Sequence, residues 1–272
     1  MKNQTENKQI IKPVFGTKEW ASYTCNFING CKHDCKYCYS KEMAIRFHRK
    51  TASTWKIEEV RENDILKKRT RKNGRIMFPS SHDIHPDNLK YSIRFLENIL
   101  LPGNEVLIVT KPHYICIKEI CSKFHLYKKN IIFRFTIGSA SSKVLKFWEP
   151  GAPSYAERLK SLRYAYNNGF RTSISCEPML DDSIGTIIND VQPFTSDYIW
   201  IGKANFLIRR LRMNGVTDSK TMQMAEELLN LQSDESILNM YNTFKIFPKI
   251  KWKESIKSVV GITISSESGL DI

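Results

Sequence analysis

No stretch of this sequence approaches the ~20 consecutive apolar residues that a membrane-spanning helix needs. The best run, around Val106–Thr110, is only strand-sized. The N-terminus, MKNQTENKQIIKPVFGT, carries lysines but no continuous apolar core, so it does not read as a signal peptide. A soluble, cytoplasmic protein is expected. Internal repeats, low-complexity tracts and Pro/Gly/Ser linkers are also lacking, so nothing in the composition splits the 272 residues. Acidic residues are scarce beside basic ones, 28 against 42, giving a formal charge of +14. Such an excess favours polyanions through counterion release and steering. A lysine-rich soluble surface gives the same figure, and charge alone names no substrate.

What is present is ordinary for a globular chain, with 41% hydrophobic and 26% charged residues, which argues against disorder. Seven cysteines, an odd number without an export signal, argue against a disulfide framework and for metal binding or buried thiols.

From Tyr23 onward, short runs rich in Ile, Val, Phe and Tyr alternate with longer amphipathic ones, the pattern of βα units around a parallel sheet. Six strands are expected, over 23–27, 75–78, 105–110, 130–137, 171–177 and 198–202. Helices are expected over 57–72, 88–100, 114–127 and 154–168. In the last, Ser154 and Glu157 form a capping box, and Ala156, Leu159, Leu162, Ala165 and Tyr166 supply an apolar face. The fold class read from this is α/β, a partial (β/α)6 TIM-type barrel with catalytic groups at the C-terminal strand ends. An open doubly wound sheet obeys the same strand-end rule. The expected division is an N-terminal extension over 1–22, the barrel over 23–205, and a mainly helical segment over 206–272.

The segment NGCKHDCKYCYS places Cys31, Cys35 and Cys38 in a C-x3-C-x2-C spacing just after the first strand. Thiolates are soft ligands that suit iron–sulfur clusters and zinc. Three of them on a short loop leave one iron of a four-iron cube open to a chelating ligand. Zinc with His33 as a fourth ligand is the competing reading.

This spacing, with Tyr37 before the last cysteine, resembles the radical S-adenosylmethionine (SAM) superfamily. The likeness extends to the spore photoproduct lyase-like branch through GCKHDCKYCY, the Val109-Thr110-Lys111 strand end and RFTIGSASSKVLKFWEPGAPSYAERL, and covers most of residues 24–180. The resemblance implies a [4Fe–4S] cluster on Cys31, Cys35 and Cys38, with SAM bound at the open iron. It also implies reductive cleavage of SAM to a 5′-deoxyadenosyl radical that abstracts hydrogen, and an electron donor such as flavodoxin or ferredoxin. For the cofactor it implies Tyr37 or Tyr39 beside the cluster, hydroxyls from Ser81 and Thr136, and Lys111 on the SAM carboxylate. Glu177 and Lys203 are further mouth residues, candidates to touch cofactor or substrate, and His82, Asp83 and His85 cluster after the second strand.

One departure matters. The lyases of that branch carry a hydrogen-donating cysteine after the second strand, where this chain has FPSSHDI and Ser80. An O–H bond is far stronger than S–H, so Ser80 cannot readily quench a carbon radical. Cys176 is expected to face the helices, Cys116 and Cys121 to be core, and Cys25 stays unassigned.

Three basic groups, Lys67–Lys72 at a helix end, Arg209/Arg210/Arg212, and the tail Lys245–Lys257 with Phe247 and Trp252, suit single-stranded nucleic acid. Nucleic-acid repair or modification is therefore the leading expectation. A peptide- or protein-modifying maturase is the second, and a non-catalytic zinc-stabilised nucleic-acid-binding module the rival from another class.

Overall fold

The computed structural model describes residues 13–270. Among the described residues nine strands form: β1 (Tyr23–Thr24), β2 (Ile28–Asn29), β3 (Glu59–Val60), β4 (Ile76–Phe78), β5 (Val106–Thr110), β6 (Ile131–Thr136), β7 (Arg171–Cys176), β8 (Ile199–Ile201) and β9 (Ile250–Trp252). Seven of them make one sheet in the order β1-β4-β5-β6-β7-β8-β9. Every neighbouring pair is parallel. Sequential order with helical crossovers is the βα series anticipated, and the sheet curls into a partial barrel.

The expectation of six strands is one short of the seven in this sheet. β9 lies in the lysine-rich tail that was read as part of a mainly helical segment, and it pairs with β8 through Ile199–Ile250 and Ile201–Trp252. Its three residues alternate Ile, Lys, Trp, too short a run for a periodicity to register. The helix expected over 57–72 is also different. There β3 pairs antiparallel with β2, which lies before the cysteine loop, and only Glu62–Leu66 is helical. The basic run Lys67–Lys72 therefore follows that helix rather than ending it.

Side chains alternate across each strand. Phe78, Val106, Ile108, Phe133, Phe135, Ile174, Cys176 and Ile201 face outward into the main core beneath the helices. Met77, Leu107, Ile132 and Trp200 face inward and meet Trp20 and Ala21. The described part of the N-terminal extension is thus no loose polar lead-in: Glu19, Trp20 and Ala21 are buried. Residues 1–12 of that extension lie outside the described residues.

Helix Tyr155–Asn167 shows how long-range contacts bend a local reading. Ser154 does cap it, accepting from Glu157 N at 3.4 Å. The Glu157 carboxylate does not return the bond; it accepts from Tyr114 N at 2.9 Å. The buried stripe is Arg158, Ser161, Leu162 and Ala165, rotated away from Ala156 and Tyr166, because Arg158 turns inward to a buried glutamate.

Candidate active site

The cysteine loop leaves β2 through Gly30, whose φ is +102°, and a Cβ there would stand 2.7 Å from the carbonyl oxygens of Trp55 and Ile57. Glycine is required by this close approach. From there the loop is held on every side. Cys31 N donates to Trp55 O at 3.0 Å, Lys36 N to Trp148 O at 2.9 Å, and Gly151 N to His33 O at 3.0 Å. Glu58 Oε1 accepts from Lys32 N at 3.0 Å, and Lys41 Nζ donates to Asp34 Oδ1 at 2.8 Å. Cys31 and Cys35 are buried and Cys38 half-buried. Cys38 packs against the apolar group around Cys31 and also against the one around Cys35, so the three thiols share one neighbourhood.

Asp83, in the loop after β4, joins this loop to the tip of β5. Its carboxylate accepts from Lys111 N at 3.1 Å and from the Thr110 hydroxyl, and meets His33 Nδ1 at 3.1 Å. Burial disfavours its charge, but His33, Lys111 and Thr110 outweigh that and hold its carboxyl well below the ordinary range. His33 Nε2 lies 3.0 Å from His113 Nε2, so both nitrogens of His33 are engaged away from the cysteines. His85 meets Glu58 at 2.7 Å. The cluster His82/Asp83/His85 is thus mostly a hydrogen-bonded frame.

Lys111 projects from the tip of β5. Burial works against its ammonium, but the charges of Cys35, Glu149 and Asp83 prevail and raise its pKa. Its Nζ lies 5.9 Å from the Tyr37 ring centroid. Tyr37 is buried and donates its O–H to Glu149, which also accepts from Arg158. Arg158 in turn donates to Thr136 O at 3.0 Å. Tyr37, Lys111 and Thr136 are therefore brought together through Glu149 and Arg158, two buried residues to which the sequence alone assigns no role.

Tyr39 and Ser81 belong to a second group. Both line a small open cleft of about 50 Å³ with Gly30, Ser40, Met43 and Trp55. Glu177 stands apart from both, 3.6 Å from Lys253 Nζ, its pKa raised by burial against the pull of that lysine. Lys203 pairs with Asp234 at 3.2 Å. A broader hollow lined by Arg71, Lys72, Gly74 and Glu105 sits at the opposite, N-terminal strand rim and holds none of this chemistry.

Ser80 Oγ accepts from Asn26 Nδ2 at 2.8 Å, and Asn26 Oδ1 accepts from the Ser80 and Ser81 amides at 2.8 and 3.0 Å. Asn26 went unremarked in the sequence because nothing local marks it. Cys116, Cys121 and Cys176 face the main core as expected, and Cys25 packs on its edge.

The donor set suits a soft metal centre: three free thiols in a largely buried pocket. Burial, chiefly, pushes all three above the ordinary thiol pKa, and mutual charge adds to this for Cys31 and Cys35, while Lys111 pulls Cys35 and Cys38 down. Thiolates there call for a cationic centre among them. Among the described residues, no three His, Cys, Asp or Glu side chains converge on a single ion. With His33 committed elsewhere, the Cys3His zinc reading finds no support. No helix among the described residues is long and apolar enough to cross a membrane.

The family model described as the radical SAM superfamily matches residues 25–183. The chain is 29% identical over 195 residues to an uncharacterised protein of Methanocaldococcus jannaschii, covering 69% of this chain and 73% of that one. It is 26% identical over 169 residues to an uncharacterised protein of Acidianus two-tailed virus, covering 58% of this chain and 56% of the viral one. Among solved structures it is similar to a spore photoproduct lyase variant with bound AdoMet and dinucleoside spore photoproduct. That match has a TM-score of 0.57 at 14% identity, over 90% of this chain and 79% of the lyase. A spore photoproduct lyase complexed with the same dinucleoside gives 0.55 at 15% identity, over the same shares. At that identity the likeness is one of fold.

Proposed function

This chain belongs to the radical SAM superfamily, and from that footing we propose that it repairs or modifies nucleic acid by hydrogen abstraction, with Cys31, Cys35 and Cys38 holding the cluster. The family's cofactors are a [4Fe–4S] cluster and SAM, which together supply, when bound, an electron and a carbon radical strong enough to take hydrogen from substrate.

The chain's own residues set the stage. The observation that carries the reading is the shared neighbourhood of three free thiols, with the Lys111 ammonium acting on Cys35 and Cys38, beside the C-terminal end of a parallel sheet. Lys111, held charged by Cys35, Glu149 and Asp83, is aimed to meet the SAM carboxylate. Tyr37 is locked to Glu149 and keeps the back of the loop rigid. Thr136 offers its hydroxyl at the tip of β6, while Tyr39 and Ser81 border the cleft where cofactor or substrate enters. Glu177, tied to Lys253, acts as a wall of the mouth. An electron donor such as flavodoxin or ferredoxin supplies the reducing equivalent.

Support for nucleic acid comes from the charge of +14 and from the dinucleoside bound by structures of similar fold. Cys116, Cys121 and Cys176 sit in the outer core and Cys25 packs on its edge, and Ser80 replaces the donor thiol. The reaction accordingly ends without a chain thiol as hydrogen donor, unlike a thiol-quenched reversal of a thymine dimer.

Anaerobic incubation of the reduced protein with SAM tests this, scoring 5′-deoxyadenosine with and without DNA, RNA and peptides. Acceleration by nucleic acid, lost steeply with added salt, is expected, and Cys35→Ala should lose both iron and product. Acceleration by peptides alone would make the protein a maturase. Zinc without iron in anaerobically prepared protein would end the radical reading.

A further inference from the structure

Phe206 follows β8 and is the residue before helix Leu207–Met213. It is 64% exposed, and its φ is +55°, a left-handed backbone that bulky side chains rarely adopt. The turn that holds it there is fixed from three directions. Ser255 Oγ accepts from Lys203 N at 3.0 Å, Gln232 Oε1 from Ala204 N at 2.7 Å, and Glu254 Oε1 from Asn205 Nδ2 at 3.4 Å. A large ring is thus held out in water on a backbone that glycine would take more readily.

Its neighbours are of one kind. The Arg209 guanidinium lies 4.5 Å from the Phe206 ring centroid and that of Arg210 5.9 Å away. Arg210 is also 6.0 Å from the Tyr39 ring, itself half exposed. Glu42 fixes both arginines, meeting Arg209 at 3.0 Å and Arg210 at 3.4 Å, yet the Arg209 side chain stays 59% exposed. The helix is pinned to the cysteine loop, because Asn214 Nδ2 donates to Lys36 O at 2.9 Å and Cys38 O at 3.0 Å. Tyr39 carries the patch into the cleft it shares with Ser81.

We propose that Tyr39, Phe206, Arg209 and Arg210 form a platform on which an unpaired base of single-stranded or locally opened nucleic acid stacks beside the cysteine loop. The proposal rests on the nucleic-acid reading above and gives it a surface. Rings and guanidinium planes stack on any base, and the arginine charges meet phosphates. Rigid attachment to the cysteine loop puts the stacked nucleotide's neighbour within reach of the site.

The test uses the reconstituted holoprotein and a fluorescent oligothymidylate, with affinity read by anisotropy at several salt concentrations. Phe206→Gly removes the ring while relieving the backbone, so the chain should fold and keep its iron. It is expected to weaken binding about tenfold, the loss of one stacked base, with an unchanged salt slope. Phe206→Trp should bind at least as well as the wild type. Arg209→Gln should instead lower the slope by about 0.7, one phosphate contact on a single strand. Wild-type affinity in Phe206→Gly overturns the platform alone, as does a loss of affinity that appears only with loss of iron. Slower reduction by an acidic flavodoxin with oligonucleotide binding intact would mark an electron-donor surface instead, and also overturns it. A wild-type protein that binds no DNA or RNA removes the nucleic-acid reading itself.

Discussion

His82 lies edge-on to Phe27 and Phe78, with ring centroids 5.0 and 5.8 Å away. Burial lowers its pKa from 6.5 to about 4. A depressed pKa means that the unfolded chain takes up the proton first on acidification. The stabilising contribution is therefore complete above pH ~6.5 and is lost as the pH falls through ~4. Between pH 7 and pH 5 the shift corresponds to about 2 kcal/mol of lost stability. His113, also lowered to about 4 by burial, titrates in the same window, so the wild-type loss alone would not assign it. A His82→Leu variant should lose about 2 kcal/mol less than the wild type over that interval, read from urea midpoints at the two pH values. Equal losses would show that His82 is reached by water in the folded state. The sequence offered His82, Asp83 and His85 as one cluster of equal members. The three differ in what surrounds them: an aromatic box for His82, a ring of donors for Asp83, and a carboxylate for His85. Most of those partners, Phe27, His33, Glu58, Thr110 and Lys111, are distant in the chain.

At the scale of elements, the loop between helices Ser142–Trp148 and Tyr155–Asn167 explains the Glu149-Pro150-Gly151 motif. Glu149 receives the Tyr37 hydroxyl, while Trp148 O and Gly151 N hold the backbone of the cysteine loop. A Cβ on Gly151 would stand 2.2 Å from Lys32 O and 2.8 Å from His33 Cα. Those are backbone atoms of a loop already tied down, so no flexible side chain can yield. Gly151→Ala should displace the cysteine loop, cost about 1–3 kcal/mol, and sharply reduce iron and sulfide per chain. A variant with full iron would mean the loop relaxes more freely than its bonds suggest. This motif was legible as a pattern, and so were the strands β4 to β8, because each is a short run rich in Ile, Val, Phe or Tyr that ends where polar residues begin. β9, β2 and β3 were not: β9 sets a lysine between Ile250 and Trp252 inside a lysine-rich stretch, and β2 and β3 are two residues each. Likewise Glu157 was half read: its amide belongs to a local cap, but its carboxylate belongs to a residue on a distant helix.

At the scale of the whole molecule, the two ends of the described chain close the barrel together. Val14 N donates to Ser265 O at 2.8 Å and Gly269 N to Lys18 O at 2.7 Å. Trp20 enters the barrel to meet Trp200 edge-on at 5.8 Å, with Arg134 over its ring at 4.7 Å. Lys253, fully buried just past β9, is the pin. It pairs with Glu19, lies 3.4 Å from Glu254 and 3.6 Å from Glu177, and sits 4.3 Å from the Trp20 ring. The tail Lys245–Lys257 is accordingly not a solvated basic arm: Trp252, Lys253 and Lys257 are buried. Glu19 is raised to about 8, mainly by burial, and Glu254 is lowered, so the carboxylates crowd one ammonium rather than ionise independently. Lys253→Met should leave buried carboxylates without a counter-charge and cost about 3–5 kcal/mol. Glu19→Gln should cost less, and in the double variant the two losses should fall short of additive by about 0.5–3 kcal/mol, measured by urea denaturation. Strict additivity would mean that the two ends close the barrel by apolar packing alone, with Trp20 rather than Lys253 as the closing element.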